Sequence, residues 1–169
     1  MAKQDIIDRA FQPRGGNTTT IDLVVPYKLA LDSNQLLLGD SDYPVPTTQV
    51  EALTYIIDGG GVAITTGVKG DLYLPYDLTV EGWTLLANPA GAIVVDLWAD
   101  SYANYPPTVA DTITASAKPT IAATNAAAQS STLTGWTTSL PAGRTIRLNV
   151  DSCATITRCT VILTVRRAL

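Results

Sequence analysis

The chain has 169 residues, of which 46% are hydrophobic and only 15% are charged, and its formal net charge is −4. This length suits one domain of about 100–150 residues with an additional segment, and the charged fraction is well below the roughly 25% of an average soluble domain. The charge balance lacks the clustered Lys and Arg that a nucleic-acid partner requires. No apolar run approaches the roughly 20 residues that span a bilayer, and the start is not a signal peptide, so we expect synthesis in the cytoplasm and no membrane partner.

Residues 1–57 are predicted to form an extended N-terminal arm for particle docking, oligomerisation or both. Near its start, Ile6, Ile7 and Phe11 lie at helical spacing, followed by Arg14. A helix this short cannot be stable alone, because isolated helices below about 12–15 residues are marginal in water. We therefore expect these apolar side chains and Arg14 to dock on a partner surface, with a frayed terminus as the alternative.

Further along the arm, the pattern predicts a small β-hairpin. Two short apolar runs, at residues 29–31 and 36–38, flank the sequence Asp32-Ser33-Asn34-Gln35. Asp, Ser and Asn are good turn residues because their short polar side chains bond to nearby backbone. We expect a hairpin with a four-residue turn.

Residues 58–169 are predicted to form one antiparallel β-sandwich domain. Apolar runs and turn residues alternate at the short spacing typical of such folds. In the run Ile93–Trp98, Ile93, Val95 and Leu97 share one face, and few residues on the other face are polar, as in a central strand. The Ala, Thr and Ser-rich segment 112–131 is predicted to be a long connection across the end of the sandwich. We place strands at residues 63–66, 70–75, 78–87, 93–98, 131–138, 144–150 and 155–166.

The composition argues against most enzymatic chemistry. There is no histidine, which removes the commonest general base and the commonest metal ligand. Cys153 and Cys159 have no acids or imidazoles arranged around them, so we expect no metal and no cofactor. The alternation of the last strand predicts that Cys159 is a core residue, and the sequence leaves open whether the two cysteines are bonded.

A cluster of carboxylates and aromatic side chains remains as a candidate site. Asp96, Asp100 and Asp111 surround a proline-rich turn that contains Tyr102 and Tyr105. Glycosidases need only two carboxylates, but structural hydrogen bonds are the simpler role for these acids. We expect no catalytic residues and no enzymatic activity.

The aromatic residues of this turn are also candidates for surface-ligand contacts. Tyr102 and Tyr105 are the candidates for contact with a surface ligand. In a carbohydrate-binding protein, Trp98 would join them, and the three rings would offer their faces to a sugar. Trp83 and Trp136 lie in or beside apolar runs and are predicted to belong to the core.

Four stretches carry a resemblance to a known family. They read GGGVAITTGVKGDLYLPYDLTVEGWTLLA, GAIVVDLWADSYANYPPTVADTITASAKPTI, STLTGWTTSLPAGRTIRLNVDS and TITRCTVILTV. In these stretches the chain resembles a small jelly-roll domain of tailed-bacteriophage virion proteins, found alone and at the ends of longer fibre proteins. The most distinctive part is Trp98–Pro119, and the first 57 residues lie outside it. The resemblance implies an antiparallel jelly-roll β-sandwich with a structural or attachment role on the virion and with no cofactor.

The sequence therefore leads to one functional hypothesis and two alternatives. We expect a non-enzymatic capsid-decoration (cement) or head-fibre protein, carried on the virion as a homotrimer that contacts the capsid or other virion proteins. This is favoured over a tail fibre because the chain has no repeats or heptads that would build a shaft. The alternatives are a tail-fibre or baseplate protein that recognises a host surface glycan, and a stand-alone carbohydrate-binding module.

Overall fold

The structure, a computed structural model, describes residues 28–32, 35–39 and 48–168. The chain divides into two compact units between Pro46 and Thr47. The predicted docking residues Ile6, Ile7, Phe11 and Arg14 lie outside the described residues.

A β-hairpin is described in the first unit. Strand β1 (Lys28–Asp32) pairs antiparallel with β2 (Gln35–Gly39), and the ladder ends at the Asp32–Gln35 pair. The hairpin predicted from the two leucine-containing runs is thus confirmed.

The second unit is an antiparallel β domain. Its strands are β3 (Thr48–Asp58), β4 (Gly67–Tyr73), β5 (Leu78–Ser101), β6 (Thr120–Ser130), β7 (Ser139–Leu140), β8 (Arg144–Ala154) and β9 (Arg158–Ala168). The seven strands form one sheet in the order β3-β9-β5-β8-β4, and β6 and β7 pair with β5. Two short 3-10 turns, at Tyr102–Asn104 and Val109–Asp111, follow β5.

The sheet is organised around β5, which is 24 residues long. Strand β9 pairs with its first half and β8 with its second half. Both lie on the same edge of β5, because β6 pairs with residues of both halves on the opposite edge. Outside them, β3 pairs with β9 and β4 pairs with β8. The second unit is therefore a long antiparallel ribbon folded across its middle, which is the jelly roll expected from the sequence.

The ribbon bends where β5 passes Asn88 and where β8 gives way to β9. The backbone N–H and the hydroxyl of Thr157 both donate to the carbonyl of Asn88, at 3.2 and 3.0 Å. Thr157 also accepts from the N–H of Gly59, at 2.7 Å. Gly91 is required here because a Cβ atom would lie 2.4 Å from the carbonyl oxygen of Ala154. These contacts hold the three turning segments together at one corner.

One hydrophobic core lies between the two halves of the ribbon. The alternation predicted for the last strand is confirmed, since Cys159, Val161, Leu163 and Val165 are all buried. Trp83 and Trp136 are also buried, as predicted. The largest fully buried side chains come from both halves and include Leu85, Ile93, Leu97, Ile121, Ile146 and Leu148.

The domain begins earlier than the sequence indicated. Strand β3, Thr48–Asp58, pairs along its whole length with β9 and turns Leu53, Tyr55 and Ile57 towards the core. The boundary therefore lies before Thr48 and not between residues 57 and 58. The hydrophobic alternation of β3 is hard to recognise in the sequence because Val50 and Ile56, on the outer face of the strand, are also apolar.

Three predicted segments have a different structure. The predicted connection at residues 112–131 contains β6, whose side chains are largely exposed and small, so it shows no hydrophobic alternation. The predicted strands at 63–66 and 131–138 are loops. Trp136 is buried from its loop, and its indole N–H donates to the carbonyl of Ala117 at 2.9 Å.

Both cysteines are free thiols. Burial raises the pKa of Cys159 to about 11, and burial also raises the pKa of the half-buried Cys153. Because the thiolate is the reactive form, we expect slow modification of the native protein by a thiol reagent and rapid modification of two thiols per chain in denaturant. Cys153→Ser isolates the reaction of Cys159, and rapid labelling of that native variant would contradict the buried position.

Candidate ligand-binding groove

The segment after β5 runs back along the edge of that strand before entering β6. The N–H of Ile113 donates to the carbonyl of Leu97 at 2.8 Å, and the N–H of Val95 donates to the carbonyl of Pro119 at 2.9 Å. A further bridge joins Trp98 and Thr112. We call residues 112–119 the strap; it corresponds to the later part of the distinctive stretch Trp98–Pro119.

Asp96 fixes the strap to β5. Its Oδ1 accepts hydrogen bonds from the hydroxyls of Thr112 and Thr114, both at 2.6 Å. Its Oδ2 lies 2.9 Å from Nζ of Lys118, which also lies 2.6 Å from Oδ2 of Asp151. Asp96 itself is fully buried.

The charge state of Asp96 follows from these contacts. Burial alone would raise the pKa of the carboxyl group. The hydrogen bonds from Thr112 and Thr114, together with the contact with the Lys118 ammonium, outweigh burial and hold the pKa of Asp96 below its ordinary value of 3.8. The carboxylate is therefore ionised at neutral pH, and its contacts are those of a structural anchor.

The other two acids of the predicted cluster hold local turns. Oδ1 of Asp100 accepts from the N–H of Ser101 at 2.6 Å. Oδ2 of Asp111 accepts from the N–H and the hydroxyl of Thr108, at 2.8 and 2.9 Å, in a capping box. Each acid thus has backbone or side-chain partners within its own turn.

An open groove of about 560 Å³ lies beside this region. It is lined by Asp71 and Tyr73 from β4, Tyr102 and Tyr105 from the turn after β5, and Thr145 from β8. The three tyrosines are unusually accessible for aromatic side chains, with exposed fractions of 60% for Tyr73, 74% for Tyr102 and 50% for Tyr105. Strand β4 and the turn after β5 thus present three aromatic rings to solvent around the carboxylate of Asp71.

A network of polar contacts fixes one wall of the groove. Arg147 on β8 donates to both oxygens of Asp71, from Nε at 2.7 Å and from Nη2 at 2.9 Å. The hydroxyl of Tyr105 donates to Asp71 at 2.8 Å and accepts from Arg147 at 3.1 Å. The guanidinium carbon of Arg147 also lies 5.2 Å from the centre of the Tyr105 ring, within range of a cation–π contact.

These contacts make Asp71 and Arg147 a stable ion pair. The hydrogen bond from Arg147, opposed by burial and aided by Tyr105, lowers the pKa of Asp71. The hydrogen bond to Asp71 in turn raises the pKa of Arg147. The pair therefore stays ionised near neutral pH and contributes no net charge to the groove.

The structure brings together two of the aromatic residues singled out from the sequence. Tyr102 and Tyr105 both line the groove, whereas Trp98 is half-buried on β5, opposite Arg147 on β8, with its indole nitrogen shielded. Sequence reasoning missed Asp71, Tyr73 and Thr145. The sequence does indicate the outward position of Asp71 and Tyr73, because these residues alternate with the apolar residues Leu72 and Leu74.

Within residues 28–32, 35–39 and 48–168, no group of three His, Cys, Asp or Glu side chains is placed to hold a metal ion. The same part of the chain contains no helix with the length and apolar character needed to cross a bilayer.

Comparisons with known proteins give distant matches. No family model and no curated protein matches the chain. Among solved structures, a chain from the Gt strain of infectious bursal disease virus matches at 12% identity with a TM-score of 0.29, over 83% of this chain and 37% of that one. A chain from the Gx strain matches at 12% identity with a TM-score of 0.31, over 83% of this chain and 36% of that one. The chain thus spans little more than a third of the length of these matches, and no functional conclusion follows from them.

Proposed function

We propose that this chain is a non-enzymatic structural protein of a tailed-bacteriophage virion. In this role it lies on the particle surface as a capsid-decoration or head-fibre protein. The proposal rests on the structure of the segment Trp98–Pro119, the most distinctive part of the resemblance. The strap, which is the later part of this segment, lies along β5 and is anchored by the buried Asp96.

The roles of the three acids support the absence of catalysis. A glycosidase needs one carboxylic acid to protonate the leaving group and a second carboxylate as nucleophile or base. Asp96 is fully buried and engaged with the strap. Asp100 and Asp111 hold their own turns. A protein whose acids are used in this way is better suited to a rigid structural role than to acid–base chemistry.

The test of this proposal is the composition and labelling of purified virions. Mass spectrometry of particles from a phage that encodes the chain should detect it at a copy number comparable with that of other surface proteins. Labelling with antibodies against the β domain, followed by electron microscopy, should place it on the head. Its absence from purified particles would contradict a virion role altogether.

The isolated protein is expected to be a trimer. The outer faces of the domain expose apolar side chains such as Val50, Ile56 and Leu86, and covering them removes apolar surface from water. Closed cyclic symmetry covers such a surface without growth of a fibre. Light scattering coupled to size-exclusion chromatography measures the mass, and a clean monomer at micromolar concentration would contradict this expectation.

Deleting residues 2–16 should separate attachment from folding. This deletion removes the apolar side chains Ile6, Ile7 and Phe11 together with Arg14, all outside the β domain that begins at β3. The melting temperature should stay within a few degrees of that of the full chain, while incorporation into particles should fall sharply. Phe11→Ala should weaken incorporation in the same direction. Full decoration by the truncated chain would place attachment elsewhere.

A second candidate is a tail-fibre or baseplate protein that recognises a host surface glycan. The groove with its three exposed tyrosines favours this candidate, because aromatic side chains with polar neighbours are common in recognition sites. A stand-alone carbohydrate-binding module would use the same groove. Antibody labels on the tail would favour the receptor-binding role, and absence from the virion together with sugar binding would favour the module.

A further inference from the structure

We propose that the groove formed by Asp71, Tyr73, Tyr102, Tyr105 and Thr145 is a binding site for a neutral saccharide. This goes beyond the proposed structural role, which requires no small ligand, and it names the ligand class for the groove that the second candidate would use. The class of ligand follows from three properties of the groove: its exposed rings, the neutralisation of its lining acid Asp71 by Arg147, and an acceptor position of Asp71 that no donor among the described residues uses.

The exposed rings supply apolar contact area for a flat ligand. Tyr73 and Tyr102 are 60% and 74% exposed, although the exposure of apolar ring surface to water is unfavourable. Tyr105 is held in place by its hydroxyl contacts with Asp71 and Arg147. A fixed ring costs little further conformational entropy when a ligand stacks on it, and this preorganisation favours binding.

The charge of the groove argues for a neutral ligand. Asp71 is the acid among the lining residues, and it is neutralised by a bidentate pair with Arg147. An anionic ligand would meet the Asp71 carboxylate, and a cationic ligand would have to compete with the Arg147 guanidinium. A neutral molecule with apolar faces and polar edges meets neither cost.

The hydrogen-bonding capacity of Asp71 distinguishes a saccharide from a proline-rich peptide. A carboxylate has about four acceptor positions, and among the described residues three donors use those of Asp71, namely Nε and Nη2 of Arg147 and the hydroxyl of Tyr105. One acceptor position is left for a donor on the ligand. Sugar hydroxyls donate and accept, whereas proline has no N–H to offer. A pyranose therefore satisfies both the rings and the carboxylate.

The experiment measures binding of the full chain by isothermal titration and affinity electrophoresis. One arm uses a fixed panel of soluble neutral hexasaccharides, namely those of glucose, galactose, mannose and N-acetylglucosamine. A second arm uses purified surface polysaccharide from host bacteria, which separates a free oligosaccharide from a cell-surface source. A third arm uses a proline-rich decapeptide as the competing class of ligand.

Two groove variants and one control make the test specific. Tyr102→Ala removes a ring and should weaken binding at least about tenfold, equivalent to about 1.4 kcal/mol. Tyr102→Phe keeps the ring and should bind within about threefold of wild type, the difference expected from loss of one exposed hydroxyl. Val109→Ala, at a residue that is 65% exposed and not part of the groove lining, should bind as wild type does. All three variants should keep the wild-type melting temperature.

The dependence on salt gives an independent readout. Binding of a neutral ligand should change little between low and high salt, because screening acts on charges. Binding in either saccharide arm with this pattern of variants supports the proposal. Failure of every saccharide to bind, equal binding by Tyr102→Ala and wild type, or binding of the peptide alone would each overturn it. None of these results bears on whether the chain is found in virions, so the two proposals fail separately.

Discussion

Replacing Asp96 with alanine should lower the free energy of unfolding by about 3–5 kcal/mol, because a buried charge pair and its hydrogen bonds are broken. The carboxylate is fully buried and binds Thr112, Thr114 and Lys118 of the strap. Without it, the buried hydroxyl of Thr114 loses its strongest acceptor. Urea denaturation of the two proteins measures the difference, and a loss below about 1 kcal/mol, the size of an exposed ion pair, would contradict the anchoring role.

Asp96→Asn and Asp151→Asn are the matched controls. Asp96→Asn keeps an oxygen for both threonines and loses the contact with Lys118, so its loss should be intermediate, about 2 kcal/mol. Asp151 binds the same lysine, at 2.6 Å, but its side chain is 30% exposed. Asp151→Asn should therefore cost less than about 1 kcal/mol.

The effect of pH on stability follows from the direction in which the pKa of Asp96 is shifted. The pKa of Asp96 is lower in the folded chain than its ordinary value of 3.8. Its stabilising contribution is thus fully present above that value and is lost as the pH falls through the lowered folded-state pKa. Asp96→Asn should depend less on pH in this acidic range than wild type. Identical acid-denaturation curves for the two proteins would show that Asp96 is not responsible.

Trp98→Ala should cost about 3 kcal/mol, at the lower end of the range for large aromatic deletions. Trp98 lies on a central strand, opposite Arg147 and bridged to Thr112 of the strap, and its indole nitrogen is buried. The side chain remains partly exposed, which keeps the effect below that of a full core deletion. Thermal and urea denaturation give the free-energy difference.

Tyr102→Ala is the control for this second result. Tyr102 is 74% exposed, so its removal should change stability by no more than about 0.5 kcal/mol. The two aromatic residues lie only four positions apart, yet we expect one to support the fold and the other to contact a ligand. An unchanged melting temperature for Trp98→Ala would mean that Trp98 is an accessible platform instead.

The strands with regular alternation could be predicted from sequence. In β9, Cys159, Val161, Leu163 and Val165 are buried as their spacing indicates. In the second half of β5, Ile93 and Leu97 are fully buried. These strands lie within the sheet and turn one face to the core, so hydrophobic periodicity reports their position directly.

Strands β3 and β6 gave no such signal. The outer face of β3 carries Val50 and Ile56, so both faces are apolar in part. In β6, Ile121 is buried but most of the following small residues are exposed. Hydrophobic periodicity depends on a contrast between an apolar face and a polar face of the strand. Neither β3 nor β6 shows such a contrast in its sequence.

The groove could be predicted only in part, because its residues meet through tertiary structure. Tyr102 and Tyr105 are near neighbours in sequence and were recognised as exposed aromatic residues. Asp71 and Arg147 become partners only because β4 pairs with β8 in a particular register, in which these two residues are directly opposite each other. Nothing in the local sequence of either strand specifies that register.

The position of β9 has a consequence for how the domain forms. Strand β9 lies between β3 and β5, so β3 has no partner from the sheet until residues 158–168 have been synthesised. The pairs that join these strands, such as Thr48 with Ala168, span most of the chain. Closing such long loops costs conformational entropy before the stabilising contacts form, and this cost slows folding. During synthesis the earlier strands therefore expose unpaired edges, and this is the period in which aggregation competes with folding.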